Sequence, residues 1–283
     1  SVVWSATKEV IQESKKFVKE DVLAVSVSSF GEAFVAVDDQ GQPLMNTLLQ
    51  TDSRGKDELK DLLTRISAEE IRNKTGLNPA VTFAVPKIMW IGKNRPEVYQ
   101  RIHRILLYGA YILYKLGGVD AIDYTLADRS LAFNVSTNDW DPDILAAAGI
   151  ERKLLPDCYR LGTVVGAIQP ELASELGVNA DMKLVTGAHD QICVSIGAGT
   201  IEVGDATDGM GSVDNISPIF TDTSYLEENA KKNYPTVPYL DDKYTTIAYM
   251  YDGGTSLKWY RDTFGFEEVQ AAELSGVSVY DIF

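Results

Sequence analysis

Val185-Thr186-Gly187-Ala188-His189-Asp190-Gln191 is followed by the glycine-dense run Gly197-Ala198-Gly199 and then by Asp208-Gly209-Met210-Gly211-Ser212-Val213. Val185 ends a short apolar run, Gly187 suits a turn, and Ile192 to Ile196 begin a stretch of helical character, which leaves Asp190 at a strand-to-helix junction. Such junctions are where α/β enzymes keep reacting groups. The same acid also fits a plain structural role, because a carboxylate in the first turn of a helix is stabilised by free backbone N–H groups and the helix dipole. Gly209 and Gly211 beside the Ser212 hydroxyl let backbone approach an anion and donate N–H groups to it, or they form only a β-turn.

Working outward, 283 residues of 45% hydrophobic content bury a sizeable core near the length at which single cores split. One large domain or two unequal ones follow. Lys and Arg total 26 against 41 Asp and Glu, a net charge of −15, so the average field repels nucleic acid and anionic lipid. That balance leaves a nucleotide ligand open, since glycine-rich backbone and Mg²⁺ neutralise phosphate locally. Cys158 and Cys193, the only cysteines, are too few for a disulfide framework or zinc cluster, and a reducing cytoplasmic setting fits. No run approaches the ~18 apolar residues of a membrane span. Ser1 to Lys19 reads as an amphipathic helix, not a signal sequence. With only His103 and His189 present, a histidine-rich metal site is excluded, and any metal is oxygen-bound magnesium.

The helical spacing of Val3, Val10, Ile11, Phe17 and Val18 gives way to alternation at Leu23, Val25 and Val27, then to strand-like runs at Ala33 to Val37 and Asn46 to Leu49 around the turn Asp38-Asp39-Gln40-Gly41. An antiparallel meander is expected there. Ser67-Ala68-Glu69-Glu70 has capping-box spacing with Gly76 as the C-terminal cap, and Pro96 suits a first helical turn. Tyr108 to Leu116 reads as a helix stopped by Gly117-Gly118, while Asp141-Pro142 to Gly149 and Pro170 to Gly177 bracket two more. From Lys183 onward short β-branched runs appear, at Lys183 to Thr186, Ile201 to Val203 and Lys243 to Met250. A second domain is expected to begin near Thr207.

Four further segments precede the opening one: Ser29-Phe30-Gly31-Glu32 with Ala33 to Asp38; Gln50-Thr51-Asp52-Ser53-Arg54; Pro86-Lys87-Ile88-Met89-Trp90 with Asn94 to Glu97; and Asp123-Tyr124-Thr125-Leu126-Ala127 with Phe133-Asn134 and Asp139-Trp140. Together and in this order they resemble the FGGY family of carbohydrate kinases over nearly all of the chain. The first is similar to that family's first sugar-contact strand, the second to its Trp-x-Asp-x-Arg segment with Gln50 replacing tryptophan, and the fourth to its Asp-Tyr-x-x-Ala segment along the sugar cleft. Ala84 departs from the family pattern, Asp128 stands where a small serine is common, and Ser212 stands where threonine is usual.

The resemblance implies an α/β chain of ribonuclease-H-like (actin/hexokinase-type) fold, with the start of a second such domain. Residues 1–206 correspond to the sugar-binding domain without its first phosphate hairpin, and residues 207–283 to the beginning of the ATP-binding domain. Asp190 is the implied catalytic base and a ligand of Mg²⁺; Glu32, Asp52, Arg54, Tyr124 and Gln191 are the implied substrate contacts; Gly211 and Ser212 are the implied contacts to ATP. Physically, a sugar hydroxyl is a poor nucleophile, and an aspartate that accepts its proton assists phosphoryl transfer. Each contact has a structural alternative: Glu32 as a strand acid, Arg54 paired with Asp52, Tyr124 packed with its hydroxyl satisfied. Trp90, Tyr108, Tyr111 and Tyr114 read as core aromatics on amphipathic helices.

Neither the family's Asp-x-Gly-Thr hairpin nor its glycine-rich adenosine motif occurs, so a fragment or split piece, inactive alone, is expected. Glu32 and Tyr124 are similar to glycerol-kinase-like members and Gly187-Ala188-His189-Asp190-Gln191 to xylulose-kinase-like ones, which implies a small sugar or polyol, with a ketose or polyol favoured. The alternative is a non-catalytic sugar-binding or regulatory module derived from such a kinase. An actin-like ATPase is disfavoured by the Glu32 and Arg54 segments, and a homo-oligomer stays open.

Overall fold

The strand expected at Leu23 to Val27 does not lead a meander. Ala24–Val25 runs parallel to Lys183–Val185, and after a break Ser28–Ser29 runs parallel to Ala188–His189. Alternation specifies a strand and its faces but not its partner, and a parallel partner must come from a distant crossover, which corrects the meander. The break has a steric cause. Gly187 crosses Val27 so closely that a Cβ at 187 would stand 1.9 Å from the Val27 carbonyl oxygen. This computed structural model describes residues 2–210, 214–221, 225–250 and 253–283, side chains of 210, 225, 227, 230 and 250 excepted.

Phe34–Val37 pairs antiparallel with Arg104–Leu107, and single bridges tie Leu48 to Phe34 and Pro43 to Val37. Asn46 to Leu49 is therefore one bridge instead of the third strand, Pro43 having removed a ladder donor just before it. The turn at 38–41 forms as expected, with Asp38 Oδ1 accepting from the N–H groups of Gln40 and Gln42 at 3.0 and 2.8 Å.

The helix ends follow their local chemistry. Ser67 accepts from the Glu70 N–H at 3.0 Å to cap Ala68–Thr75, and Asp141 accepts from Asp143 and Ile144 to cap Pro142–Ala148. Caps of this kind contribute about 1 kcal/mol each. Gly76, Gly118, Gly149 and Gly177 close their helices in the left-handed region. The main core forms where Phe34–Val37 and Arg104–Leu107 meet the helices Ala84–Asn94 and Tyr108–Gly117, with Tyr111 fully buried among them. Helix Val2–Lys15 lies outside this core, with Lys8 reaching Glu175 at 2.6 Å, and no described helix is long and apolar enough to cross a membrane.

A second sheet is built on Asp214–Phe220, flanked by Ala206–Met210 on one side and by Tyr244–Thr245 and Ala248–Met250 on the other, with Val237–Pro238 beyond Tyr244–Thr245. Ile201 to Val203 is a turn and not the expected strand. Asp205 Oδ2 accepts from the N–H groups of Ile201 and Glu202 at 3.1 and 2.9 Å, which bends the backbone away from a ladder. A smaller apolar cluster of Ala188, Ile192, Ile219, Val237 and Tyr239 joins the helix Asp190–Gly197 to this sheet. Asp190 thus sits where the paired strands Ser28–Ser29 and Ala188–His189 approach this sheet.

Candidate active site

The strand Ala188–His189 ends directly in the helix Asp190–Gly197, so Asp190 is its first residue. Thr125 pins the junction: its Oγ1 accepts from the His189 N–H at 2.7 Å and donates to Asp123 Oδ1 at 2.5 Å. Asp123 also caps the helix Tyr124–Asp128 through the Leu126 N–H at 3.0 Å. Burial pushes the Asp123 carboxyl up to about 6, against the pull of those donors.

Asp190 Oδ1 accepts from the Gln191 N–H at 2.7 Å, and partial burial raises its carboxyl above the ordinary value. Beside it, burial and the charge of Arg129 push the His189 imidazole down to about 3, so this ring is neutral. His189 Nδ1 lies 3.4 Å from Asp190 Oδ1. Gln191 is held in turn: its Oε1 accepts from Asn215 Nδ2 at 2.9 Å, and Asn215 Oδ1 accepts from the Ser217 hydroxyl at 3.2 Å.

Opposite this junction, Glu32 holds a left-handed backbone at φ 60° and a largely buried side chain. Burial raises its carboxyl, Arg129 and Lys87 oppose that, and the Asp190 carboxylate adds to it. Glu32 lines a cavity of about 560 Å³ together with Gln50, Thr82, Phe83, Arg129 and Tyr249. Lys87 is fully buried, donates to the Thr82 carbonyl, and is pushed down to about 8 by burial.

The expected residues are not all gathered in one place. Glu32 and Asp190 are near enough for the Asp190 charge to raise the Glu32 carboxyl, and Gln191 follows Asp190 in the first turn of its helix. Arg54 instead grips Asp52 through Nε at 2.9 Å and Nη2 at 2.5 Å, stacks 5.0 Å over Trp90, and holds the Asp52 carboxyl at about 2. Tyr124 packs 5.3 Å from Phe133 and lines a separate cavity of about 50 Å³ with Arg160 and Asp242. Gly211 and Ser212 lie outside the described residues.

Four residues of the site went unassigned in the sequence. Arg129 and its neighbour Asp128 form a buried ion pair inside the run from Leu126 to Phe133, which is apolar apart from them and Ser130, and an Asp-Arg pair in such a run is a readable signal. Lys87 stands in the Pro86 to Trp90 segment without an assigned role. Asn215 carries no local signal, because its function is a contact 24 residues away in sequence.

The family model for the N-terminal domain of the FGGY family of carbohydrate kinases matches residues 1–197. Among curated relatives, the gluconokinase of Bacillus subtilis (strain 168) is 25% identical over 270 residues, 95% of this chain and 52% of its own length. The autoinducer-2 kinase of Escherichia coli (strain K12) is 26% identical, over 93% of this chain and 49% of its own. The chain thus spans about half the length of these relatives. The xylulose kinase structure from Rhodospirillum rubrum superposes with a TM-score of 0.84 at 23% identity, covering 96% of this chain and 56% of that one, and this shows a shared fold, of actin/hexokinase type. With the family model covering well over half of its residues, the chain belongs to the FGGY family of carbohydrate kinases.

Proposed function

We propose that this chain carries the acceptor side of a cytoplasmic, ATP-dependent kinase that phosphorylates a hydroxyl of a small sugar or polyol, with Asp190 as the general base. Residues 1–206 are read as the sugar side and 207–283 as the beginning of the ATP side, in keeping with a family match that ends at 197 and a second sheet that begins at Ala206. The observation that carries the reading is the place of Asp190. It is a half-exposed carboxylate at a strand-to-helix junction, with one oxygen committed to the Gln191 N–H and its charge felt by Glu32. A carboxyl raised by burial is a better proton acceptor than an ordinary one, and the neutral His189 beside it does not compete by salt-bridging.

Glu32 accepts hydrogen bonds from substrate hydroxyls, Gln191 presents an amide fixed by Asn215, and Gly211 and Ser212 are assigned to phosphate contact. Asp52, Arg54 and Tyr124 are assigned to the margin of the substrate site. ATP supplies the transferred phosphoryl group, and Mg²⁺ neutralises its oxygens. Asp190 suits such an ion, since Mg²⁺ takes one or two carboxylates and completes its shell with phosphate and water. Among the described residues there is no three-residue cage of His, Cys, Asp or Glu, and this chemistry requires none. Gluconate, xylulose and small polyols are the candidate acceptors, and turnover is expected together with the remainder of a full-length kinase.

The test has two arms. Calorimetry of the 283-residue chain with sugars and polyols is expected to show binding. ADP release by the full-length protein is expected to fall by about 10²- to 10⁴-fold in Asp190→Asn with acceptor affinity unchanged. Retained turnover in that variant removes Asp190 as the base.

A further inference from the structure

Arg129 is built into its position from three sides. Asp128, fully buried, bonds its Nη2; the Phe83 ring lies 5.6 Å from its guanidinium carbon; and its aliphatic stem fills the space above Gly31. A Cβ at residue 31 would stand 2.4 Å from Arg129 Cγ, so glycine there is what admits the arginine. Gly31 is not among the positive-φ glycines, and its requirement is therefore this close approach and not its own backbone.

The polar atoms of the cluster are incompletely used. Arg129 Nε and Asp128 Oδ1 are buried without a hydrogen-bond partner among the described residues, and Arg129 Nη1 stands 3.7 Å from Glu32 Oε1. A buried donor or acceptor left open is destabilising and calls for an explanation, of which a bound ligand is one. Both Arg129 and Glu32 line the 560 Å³ cavity.

We infer that Arg129 and Glu32 together read a vicinal diol of the acceptor, the guanidinium donating to one hydroxyl oxygen and the carboxylate accepting from the neighbouring O–H. Asp128 is the positioning residue that holds the guanidinium. The inference rests on the proposed acceptor site and names the chemistry read at one end of it. An uncharged diol fits this end better than a substrate carboxylate. The charge of Arg129 already faces both Asp128 and Glu32, and a second anion beside Glu32 would add to the repulsion that Asp190 already exerts there. A donor and an acceptor side by side match adjacent hydroxyls, each of which can accept one hydrogen bond and donate another.

The probes are xylulose, and glucitol with gluconate, which share a carbon chain and differ at one end in CH₂OH against carboxylate. They are titrated calorimetrically into the wild-type chain, Gly31→Ala and the double variant Arg129→Gln/Asp128→Asn, whose neutral pair leaves no lone charge in the buried site and whose fold is checked by circular dichroism. Both variants are expected to weaken glucitol and gluconate by the same factor, about tenfold or more. A loss confined to gluconate would show that Arg129 reads a carboxylate and overturns the inference. Unchanged affinities for every probe in the double variant make the cluster structural and overturn it while leaving the acceptor-site reading in place. Absence of binding by the wild-type chain overturns both.

Discussion

Gln191 Oε1 accepts a 2.9 Å hydrogen bond from Asn215 Nδ2, tying the first turn of the helix that begins at Asp190 to the central strand of the second sheet. Asn215 is buried and its Oδ1 is also engaged by Ser217, so its amide has a fixed orientation. Removing it leaves the Gln191 side-chain oxygen without this partner beside the second sheet, at a cost of about 1–3 kcal/mol. Asn215→Ala is expected to lower the urea midpoint correspondingly. Acceptor affinity is expected to fall as well, because Gln191 is freed; a variant with the stability loss and unchanged affinity would separate Gln191 from the acceptor.

The contact between Gly187 and Val27 is the tightest glycine approach in the described chain. A methyl group at 187 meets backbone, which cannot rotate away, so the two parallel strand pairs on either side of the break must part. Gly187→Ala is expected to destabilise by about 3 kcal/mol or more, at the upper end of overpacking effects. Urea unfolding measures it, and a loss under about 1 kcal/mol would mean that the strands can slide apart at little cost.

Local chemistry made part of this molecule readable. Ser67, Asp141, Gly118 and Gly149 sit at helix ends for reasons contained within four residues, so their helices were legible. The strand at Ala24–Val25 was legible and its partner was not, because Lys183 is selected by a crossover of more than 150 residues and by the room that Gly187 leaves. The site divides in the same way. Asp190 was visible from its junction, and Glu32 from its segment, whereas the clamp on Arg129 depends on Gly31 and Phe83 arriving from elsewhere in the chain. The Arg54–Asp52 pair was among the stated alternatives, and spacing could not choose it over a sugar contact.

Asp123 gives a pH signature. Its carboxyl titrates near 6 in the folded chain against an ordinary value of 3.8, so the folded state holds the proton more tightly than the unfolded state does. Stability contributed by the protonated form is therefore lost as pH rises from about 4 to about 6, and the loss is complete above that window. The shift corresponds to about 3 kcal/mol at about 1.4 kcal/mol per pH unit. Asp123→Asn keeps an oxygen to cap Leu126 and removes the titration. The difference in unfolding free energy between wild type and variant, which cancels the opposing effect of the neutral His189, is expected to fall across that window and then stay flat. A difference independent of pH would place the Asp123 titration at its ordinary value.

Glu32 is a non-glycine residue at φ 60° whose side-chain contact to Arg129 is long, at 3.7 Å, and whose carboxyl is raised by burial. The backbone conformation and the burial are unfavourable to folding, and the long contact to Arg129 offsets them only in part. A left-handed backbone costs an L-residue about 1–2 kcal/mol, and burial penalises the charge. Residues kept under such strain are typical of binding sites, where the cost is repaid by the ligand. Replacing an ordinary, largely buried side chain by glycine destabilises, but at this position the backbone relief offsets the lost contacts. Glu32→Gly is expected to leave the urea-derived stability within about 1 kcal/mol of wild type while weakening glucitol and xylulose by about tenfold. A loss of several kcal/mol would assign Glu32 to the fold, and unaltered affinity would take it out of the acceptor site.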